Sequence, residues 1–377
     1  MVYLKKNEAL FLSRLSGWGA LLSKEIVRKS TQPVFLDGLQ IGGGAPVVVQ
    51  SMTCTDTRDM KATLAQIRAL AAAGCEVVRV AVPDMEAATG LAEIKKNSPI
   101  PLIADIHFDY RLAIEAISQG VAGVRINPGN IGKTGIKAIV RLAKERATVI
   151  RIGINAGSLE KDILASYGGP TAAALVESAL RNVALLEDMD FRLIKLSLKS
   201  SDVVTMIEAY RGIAEKCDYP LHLGVTEAGT MVNAAIKSSL GIGMLLYEGI
   251  GDTIRVSVTG DPVTEMRIAY GILRALGIRK IGPDIISCPT CGRCEIDVLK
   301  LAEEVENRLS GMKAYLKIAL MGCVVNGPGE AAEADIGIAG GRGFGFLFKK
   351  GKKLKKINEE DFVDVLLEEI NILLKEM

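Results

Sequence analysis

Long apolar runs, net charge, cysteine and histidine are what this sequence has least of. Its apolar stretches are broken by Arg, Lys, Gly or Pro well before bilayer-spanning length, although hydrophobic residues make up 49% of the chain and charged residues 24%. No membrane segment is expected. The first 30 residues scatter Lys5, Lys6, Arg14, Lys24 and Arg28 among short apolar stretches. They lack the continuous apolar run and small-residue cleavage site of a secretory signal, so a cytoplasmic location is expected. The 46 basic and 44 acidic residues leave a formal charge of +2, which sets up no overall field toward nucleic acid or an anionic membrane. No nucleic-acid partner is expected, and ligand charge has to be read locally. Seven cysteines in 377 residues are too few for a disulfide scaffold. Four of them, Cys288, Cys291, Cys294 and Cys323, fall in one tenth of the chain, which points to metal in a reducing compartment.

The chain exceeds the usual single-domain length, so one large domain and a smaller one are expected. From about residue 46 to residue 276 one unit repeats eight times: a short β-rich run, a Gly, Asn or Thr turn, then a helix-like segment such as Thr63 to Ala73 or Thr171 to Leu186. The strands are Val47 to Ser51, Val77 to Val82, Leu102 to Asp105, Gly123 to Asn127, Val149 to Asn155, Leu193 to Lys199, Leu221 to Glu227 and Thr253 to Thr259. Eight such units in a stretch close to the roughly 250 residues typical of a TIM-type (β/α)8 barrel favour that closed α/β fold over an open doubly wound sheet.

Parity within these strands carries more information than their number, because alternate residues face opposite sides. One parity is apolar throughout, as in Val124 and Ile126, Ile150, Ile152 and Ile154, or Ile194, Leu196 and Leu198, and faces the helices. The other is polar and cationic: Arg79, Asp105, His107, Arg125, Asn127, Arg151, Asn155, Lys195, Ser197, Lys199, His222, Thr226, Arg255 and Ser257. Barrel interiors are normally filled by branched apolar side chains, so a cationic lining needs a compensating anion. Arg forks and Lys point charges suit phosphate oxygens. Internal pairing with Asp105 and Glu227 is the competing reading, but two acids cannot neutralise at least six cations. Of the two histidines, His107 at a strand end beside Asp105 is the better candidate for substrate contact, and His222 the better structural group.

Past residue 276 the pattern becomes that of a small α/β domain: a cysteine-rich loop, a helix-like run from Asp297 to Leu309, a strand-like Leu316 to Met321 and a terminal helix within Glu360 to Glu376. This divides the chain into a helical N-terminal extension (1–33), a barrel (34–276) and a metal domain (277–377). The basic run Lys349 to Lys356 reads as a solvated turn, and Gly340 to Gly345 as a turn without the context of a nucleotide fingerprint. Cys288-Pro-Thr-Cys291-Gly-Arg-Cys294 has the C-x2-C-x2-C spacing that wraps an iron–sulfur cluster, with Cys323 drawn from the next segment. Four-thiol zinc remains the alternative on spacing alone, and with it a barrel aldolase or phosphosugar isomerase.

The chain from about residue 34 resembles the bacterial 4-hydroxy-3-methylbut-2-enyl diphosphate synthases of the non-mevalonate isoprenoid pathway. The resemblance rests on Val49 to Thr53, Ala104 to Asp109, Arg125 to Gly132, Gly153 to Leu159, His222 to Gly229, Glu248 to Asp252, Cys288 to Cys291 and Gly322 to Glu330. It implies an oxidoreductase that binds 2-C-methyl-D-erythritol 2,4-cyclodiphosphate in the barrel and holds a 4Fe-4S cluster in the C-terminal domain. Two electrons from ferredoxin or flavodoxin open the ring, expel water and leave the linear diphosphate. The implied cluster ligands are Cys288, Cys291, Cys323 and Glu330. The implied substrate contacts are Arg58, Asp105, Arg125, Asn127, Arg151, Asn155, Lys199, Thr226, Arg255 and Ser257, with Glu330, Glu227 and His107 in catalytic roles. A head-to-tail homodimer is implied as well, one subunit's cluster domain capping the barrel of its partner. Cys294 and Cys54 depart from the family pattern, which often has Gln and Asn there, and the insertion some relatives carry between the two domains is absent.

Overall fold

The computed structural model describes residues 26–323, 329 and 332–376. The helical extension expected at the N-terminus lies largely outside these residues, and residues 26–33 have no regular structure. A hairpin comes first, β1 (Val34–Leu36) and β2 (Leu39–Ile41), joined by Asp37 and Gly38 at φ 48° and 85°. A tight turn with two positive φ values is the reason for an Asp-Gly pair between apolar runs.

Eight parallel strands follow: β3 (Val48–Met52), β4 (Val77–Ala81), β5 (Leu102–Asp105), β6 (Gly123–Ile126), β7 (Val149–Asn155), β8 (Ile194–Lys199), β9 (His222–Leu223) and β10 (Thr253–Ile254). They pair in the order β8-β7-β6-β5-β4-β3-β10-β9, and a parallel bridge from Leu196 to Leu221 joins the two ends of the sheet. The ring is therefore the expected TIM-type barrel, with helices between the strands. Strands β9 and β10 stop after two residues each, well short of the runs expected to Glu227 and Thr259. The ladder ends where Gly224 meets β10, since a Cβ there would lie 2.6 Å from Arg255 O and 3.0 Å from Lys199 Nζ. Polar loops carry on from that point.

The floor of the barrel is apolar. Val34, Leu36 and Ile41 of the hairpin pack on Val48, Val77, Ile103, Ala122 and Val149 at or next to the first residues of five strands. Polar contacts close the rest of this end: Arg28 Nη2 and Thr31 Oγ1 both donate to Asp252 Oδ1, at 2.9 and 3.0 Å, and Leu221 N donates to Oδ2 at 2.9 Å. At the opposite end several strand-to-helix loops finish on Asp. Asp59, Asp84, Asp109 and Asp202 each accept a backbone N–H from the helix they begin, caps worth about 1 kcal/mol apiece. Short capped loops fix the strand ends where side chains of the site emerge.

Two compact units result, residues 1–272 and 273–377. The second holds a five-stranded mixed sheet: β11 (Pro283–Ser287), β12 (Leu316–Met321) and β13 (Ile336–Gly341) run parallel, and β14 (Phe344–Lys349) and β15 (Lys352–Asn358) antiparallel. The helices Val298–Arg308 and Phe362–Glu376 cover it, Leu301 and Val305 from one and Phe362, Leu366, Ile370 and Leu373 from the other meeting Ile318, Leu320, Ile336 and Ile338. The expected terminal helix thus packs on its own domain. The lysine run is not merely a turn: only Lys350 and Gly351 turn, and Lys352 to Lys356 lie in the exposed edge strand β15. Lys353 sits 3.2 Å from the ring centre of Phe346 and Lys356 4.0 Å from that of Phe344, which gives a charged run a surface to lie on as a strand. Edge lysines also discourage strand addition by another chain. Among the described residues no helix is long and apolar enough to cross a membrane.

Candidate active site

The predicted inward parity holds. Arg151 and Lys195 are among the largest fully buried side chains, and Arg79, Asp105, Arg125, Asn127, Ser197, Lys199 and His222 are buried beside the apolar strand faces. Asp105 organises one side of the interior. Its Oδ1 accepts from Arg125 Nη1 at 3.3 Å, and its Oδ2 lies 3.6 Å from Arg79 Nε and 3.7 Å from His107 Nε2. Burial pushes this carboxyl up, but Arg79, the His107 contact and Arg125 outweigh it and hold Asp105 well below the usual carboxylate range. Arg125 Nη2 donates to Gly153 O at 3.4 Å, and a Cβ on Gly153 would collide with Arg125 Nε, so a glycine makes room for that guanidinium. With its amide oxygen turned toward Arg125, Asn155 accepts from Nη2 at 3.0 Å. Asn127 reaches Ser158 Oγ at 3.4 Å and accepts from Gly129 N at 3.2 Å.

A second carboxylate, which sequence reasoning missed, organises the neighbouring arginine. Glu265, on the helix Val263–Ala275, accepts from Arg255 Nη2 at 3.3 Å and from Ser51 Oγ at 2.7 Å. It reads in sequence as an ordinary first-turn acid, and no signal marks it as buried. Glu227, which the competing reading pairs internally with the cations, is exposed instead, at a positive φ of 53°. It follows β9 at the mouth, where strained backbone turns its side chain away from the interior ladder. Thr226 and Ser257 are half-buried. Arg58 stands apart on an exposed loop, held by Asp56 at 2.7 Å and Asp84 at 3.3 Å. His222 is buried with Nδ1 2.7 Å from Thr253 Oγ1, as suits a structural histidine.

Six cations, Arg79, Arg125, Arg151, Lys195, Lys199 and Arg255, thus face Asp105 and Glu265 inside one barrel. Two like charges about 4 Å apart repel by roughly 4 kcal/mol at an effective dielectric near 20. Basicity gives way accordingly: burial, with neighbouring cations, lowers Lys195 to about 7 and Arg79 to about 10, and drives Arg151, Lys199 and His222 well below their ordinary values. Arg151 Nε and Nη1, Lys195 Nζ and His222 Nε2 are buried without a protein hydrogen-bond partner. An anion answers both the charge and the orphaned donors.

In the second unit Cys288 and Cys323 follow β11 and β12, adjacent parallel strands, and so stand at the same end of the sheet. Gly322 N donates to Cys288 Sγ at 3.1 Å, and a Cβ on Gly322 would lie 3.4 Å from that sulfur and collide with Cys294 Sγ. The thiol loop is thus seated on a glycine. Cys291 is exposed, and the Arg293 backbone N–H, with the Arg293 charge, pulls its thiol down toward the thiolate. Cys294 turns its thiol to Ile296 O at 3.1 Å. Among the described residues no three His, Cys, Asp or Glu side chains converge on one metal position, and Glu330 lies outside those residues. Cys288 and Cys323 at one sheet end, Cys294 beside Gly322 and an exposed Cys291 eased toward thiolate make a soft-donor set of the kind a cluster-binding loop carries.

A barrel with buried cations inside it, followed by an α/β domain that carries a cysteine-rich loop, has the architecture of a two-domain barrel enzyme. The chain belongs to the GcpE family: residues 31–270 match its TIM-barrel domain and residues 284–372 its C-terminal domain. It is 56% identical to a protein of Geobacter sulfurreducens, over 93% of this chain and 99% of that protein. Relatives in Maridesulfovibrio salexigens and Caldanaerobacter subterraneus are 57% and 59% identical over the same shares. All three are named 4-hydroxy-3-methylbut-2-en-1-yl diphosphate synthase (flavodoxin).

Anion binding should depend on pH with a definite sign. Lys195 is half-protonated at about 7 in the free barrel, and an anion favours its charged form, so binding takes up a proton above that pH. The affinity of a cyclic diphosphate, whose own charge is constant there, should fall as pH rises from 7 toward about 9, approaching tenfold per unit for each linked proton. Titration calorimetry in buffers of different ionisation heat measures that uptake; pH-independent affinity with no uptake would contradict it.

Proposed function

We propose that this oxidoreductase opens and dehydrates 2-C-methyl-D-erythritol 2,4-cyclodiphosphate to 4-hydroxy-3-methylbut-2-enyl diphosphate, a step of isoprene biosynthesis by the non-mevalonate route. The observation that carries the reading is the excess of buried cations in the barrel, which fits a small dianion. The relatives' names give the product and flavodoxin, and we take flavodoxin, or a ferredoxin in its place, as electron donor. They lend nothing to the aldolase or isomerase alternative.

Arg125, Arg151, Lys199 and Arg255 bind the diphosphate, and Arg58 joins them from the rim once it leaves Asp56. Asn127, Asn155, Thr226 and Ser257 place the hydroxyl and phosphate oxygens. Asp105 holds Arg79 and Arg125 aimed inward. His107 and Glu227 stand at the mouth, and we assign them the proton with which the departing hydroxyl leaves as water. Cys288, Cys291 and Cys323, with Glu330, would hold a 4Fe-4S cluster, which supplies the electrons of ring opening when bound. Two electrons and the accompanying protons balance the loss of one water from the substrate.

A homodimer is part of the reading. Val232, Ile236, Leu240, Met244 and Tyr247 recur at helical spacing along the helix Met231–Tyr247 and are all exposed, an apolar stripe of the kind a second copy covers. The purified protein should scatter light at twice the chain mass, and Ile236→Lys with Leu240→Lys should return it to monomer. A wild-type monomer would remove the dimer.

Cys294 and Glu330 decide the ligand set. A carboxylate is a harder and more exchangeable ligand than a thiolate, and the Cys294 thiol already has a backbone partner. Anaerobically prepared Cys294→Ser should therefore keep the broad visible absorption, its iron and most turnover. Glu330→Ala should keep much of the iron and lose ring opening. A colourless, iron-free wild type defeats the cluster reading, and loss of the cluster only in Cys294→Ser makes that thiolate the fourth ligand.

A further inference from the structure

We infer that Glu265 is a positioning residue that sets both substrate contacts of the β10 segment, an inference that rests on Arg255 and Ser257 being such contacts. Glu265 is 1% exposed, and its two oxygens serve three residues, one on β3 and two in the segment after β10. Oε2 accepts from Ser51 Oγ of β3 at 2.7 Å. Oε1 accepts from Arg255 Nη2 and from Val258 N, both at 3.3 Å. One carboxylate therefore orients the guanidinium and also pins the backbone immediately after Ser257, where the regular ladder has already ended at Ile254. Without the strand to fix this segment, the buried carboxylate does so.

The arrangement also resolves a packing problem. Arg255 lies among cations and lowers the Lys199 ammonium together with Arg79 and Arg151. The other acceptor within its reach is the Met52 thioether, 3.9 Å from Nη1, and Met52 Sδ already takes Arg79 Nε and Nη2 at 3.2 and 2.9 Å. A thioether is a weak acceptor, so the carboxylate decides where the Arg255 fork points. Ser51 anchors that carboxylate on its far side and keeps it from following the arginine into the barrel. Rigid support of this kind is what places a binding group to within a fraction of an ångström.

Charge must be held constant in the test, because removing a carboxylate beside a phosphate site also raises the local positive potential. Glu265→Asp keeps the charge and shortens the reach by one methylene. Equilibrium binding of the cyclic diphosphate to the intact protein should weaken about tenfold in Glu265→Asp. The effect should shrink to less than about twofold when Arg255 is already Met, because coupled residues are not additive. Ser51→Ala, which leaves every charge in place, should shift affinity the same way by a smaller factor and provides the measurement if Glu265→Asp does not fold. Arg255→Met with unaltered affinity would defeat the underlying reading of the site. Weakened binding in Arg255→Met, but wild-type affinity in both Glu265→Asp and Ser51→Ala, would defeat the positioning role alone, as would an equal Glu265→Asp loss with and without Arg255.

Discussion

Concentrating positive charge in a low-dielectric barrel is the constraint on which the rest of the first unit turns. Six cations against Asp105 and Glu265, with Asp252 acting on Lys195 alone among them, leave an excess of positive charge that solvent cannot relax, because the strands that carry them are buried on both faces. Local features follow from it. Gly153 and Gly224 vacate the space that Arg125 and Lys199 occupy. Asp105 takes Arg79 and Arg125, and Glu265 takes Arg255, so neighbouring guanidiniums are held on separate carboxylates. The hairpin floor stays apolar, so stability comes from one end of the barrel while the other end is given to binding. The cost is carried as depressed basicity in Lys195, Arg151 and Lys199, and an incoming anion recovers it.

The second unit meets a different requirement. Thiols that hold a cluster need a loop whose backbone can pass close beneath sulfur, and Gly322 provides that directly after β12. Its own core of aliphatic residues, shared between sheet and two helices, lets the loop be exposed without loosening the domain. Separating anion binding from thiol chemistry keeps soft ligands out of a strongly cationic interior and leaves each to be built on its own sheet.

How much was legible in the sequence varies with how regular the backbone is. In β7 and β8 the period of two runs unbroken for six or seven residues, so Arg151, Asn155, Lys195 and Lys199 could be assigned inward without a structure. In β9 and β10 the ladder ends after two residues, so the period of two could not say that Glu227, counted as an internal acid only in the competing reading, stands exposed. Glu265 was invisible because its partners are 10 and 214 residues away and its local context is an ordinary helix start. The Asp37-Gly38 turn carried a usable hairpin signal that the eight-unit reading passed over. Lys352 to Lys356 misled in the other direction, since uninterrupted charge masks a strand whose partner supplies aromatic rings.

If the buried cations exist to bind the diphosphate, binding and cluster assembly must separate in a single variant. Arg151→Met keeps the unbranched stem to about the position of Nε at a fully buried site and removes the guanidinium donors and their charge. The cyclic diphosphate should bind it on the order of a hundredfold more weakly, a loss of about 2 to 3 kcal/mol, while the visible spectrum and iron content match the wild type. Wild-type affinity in a folded Arg151→Met protein would contradict the claim that this interior is the substrate site.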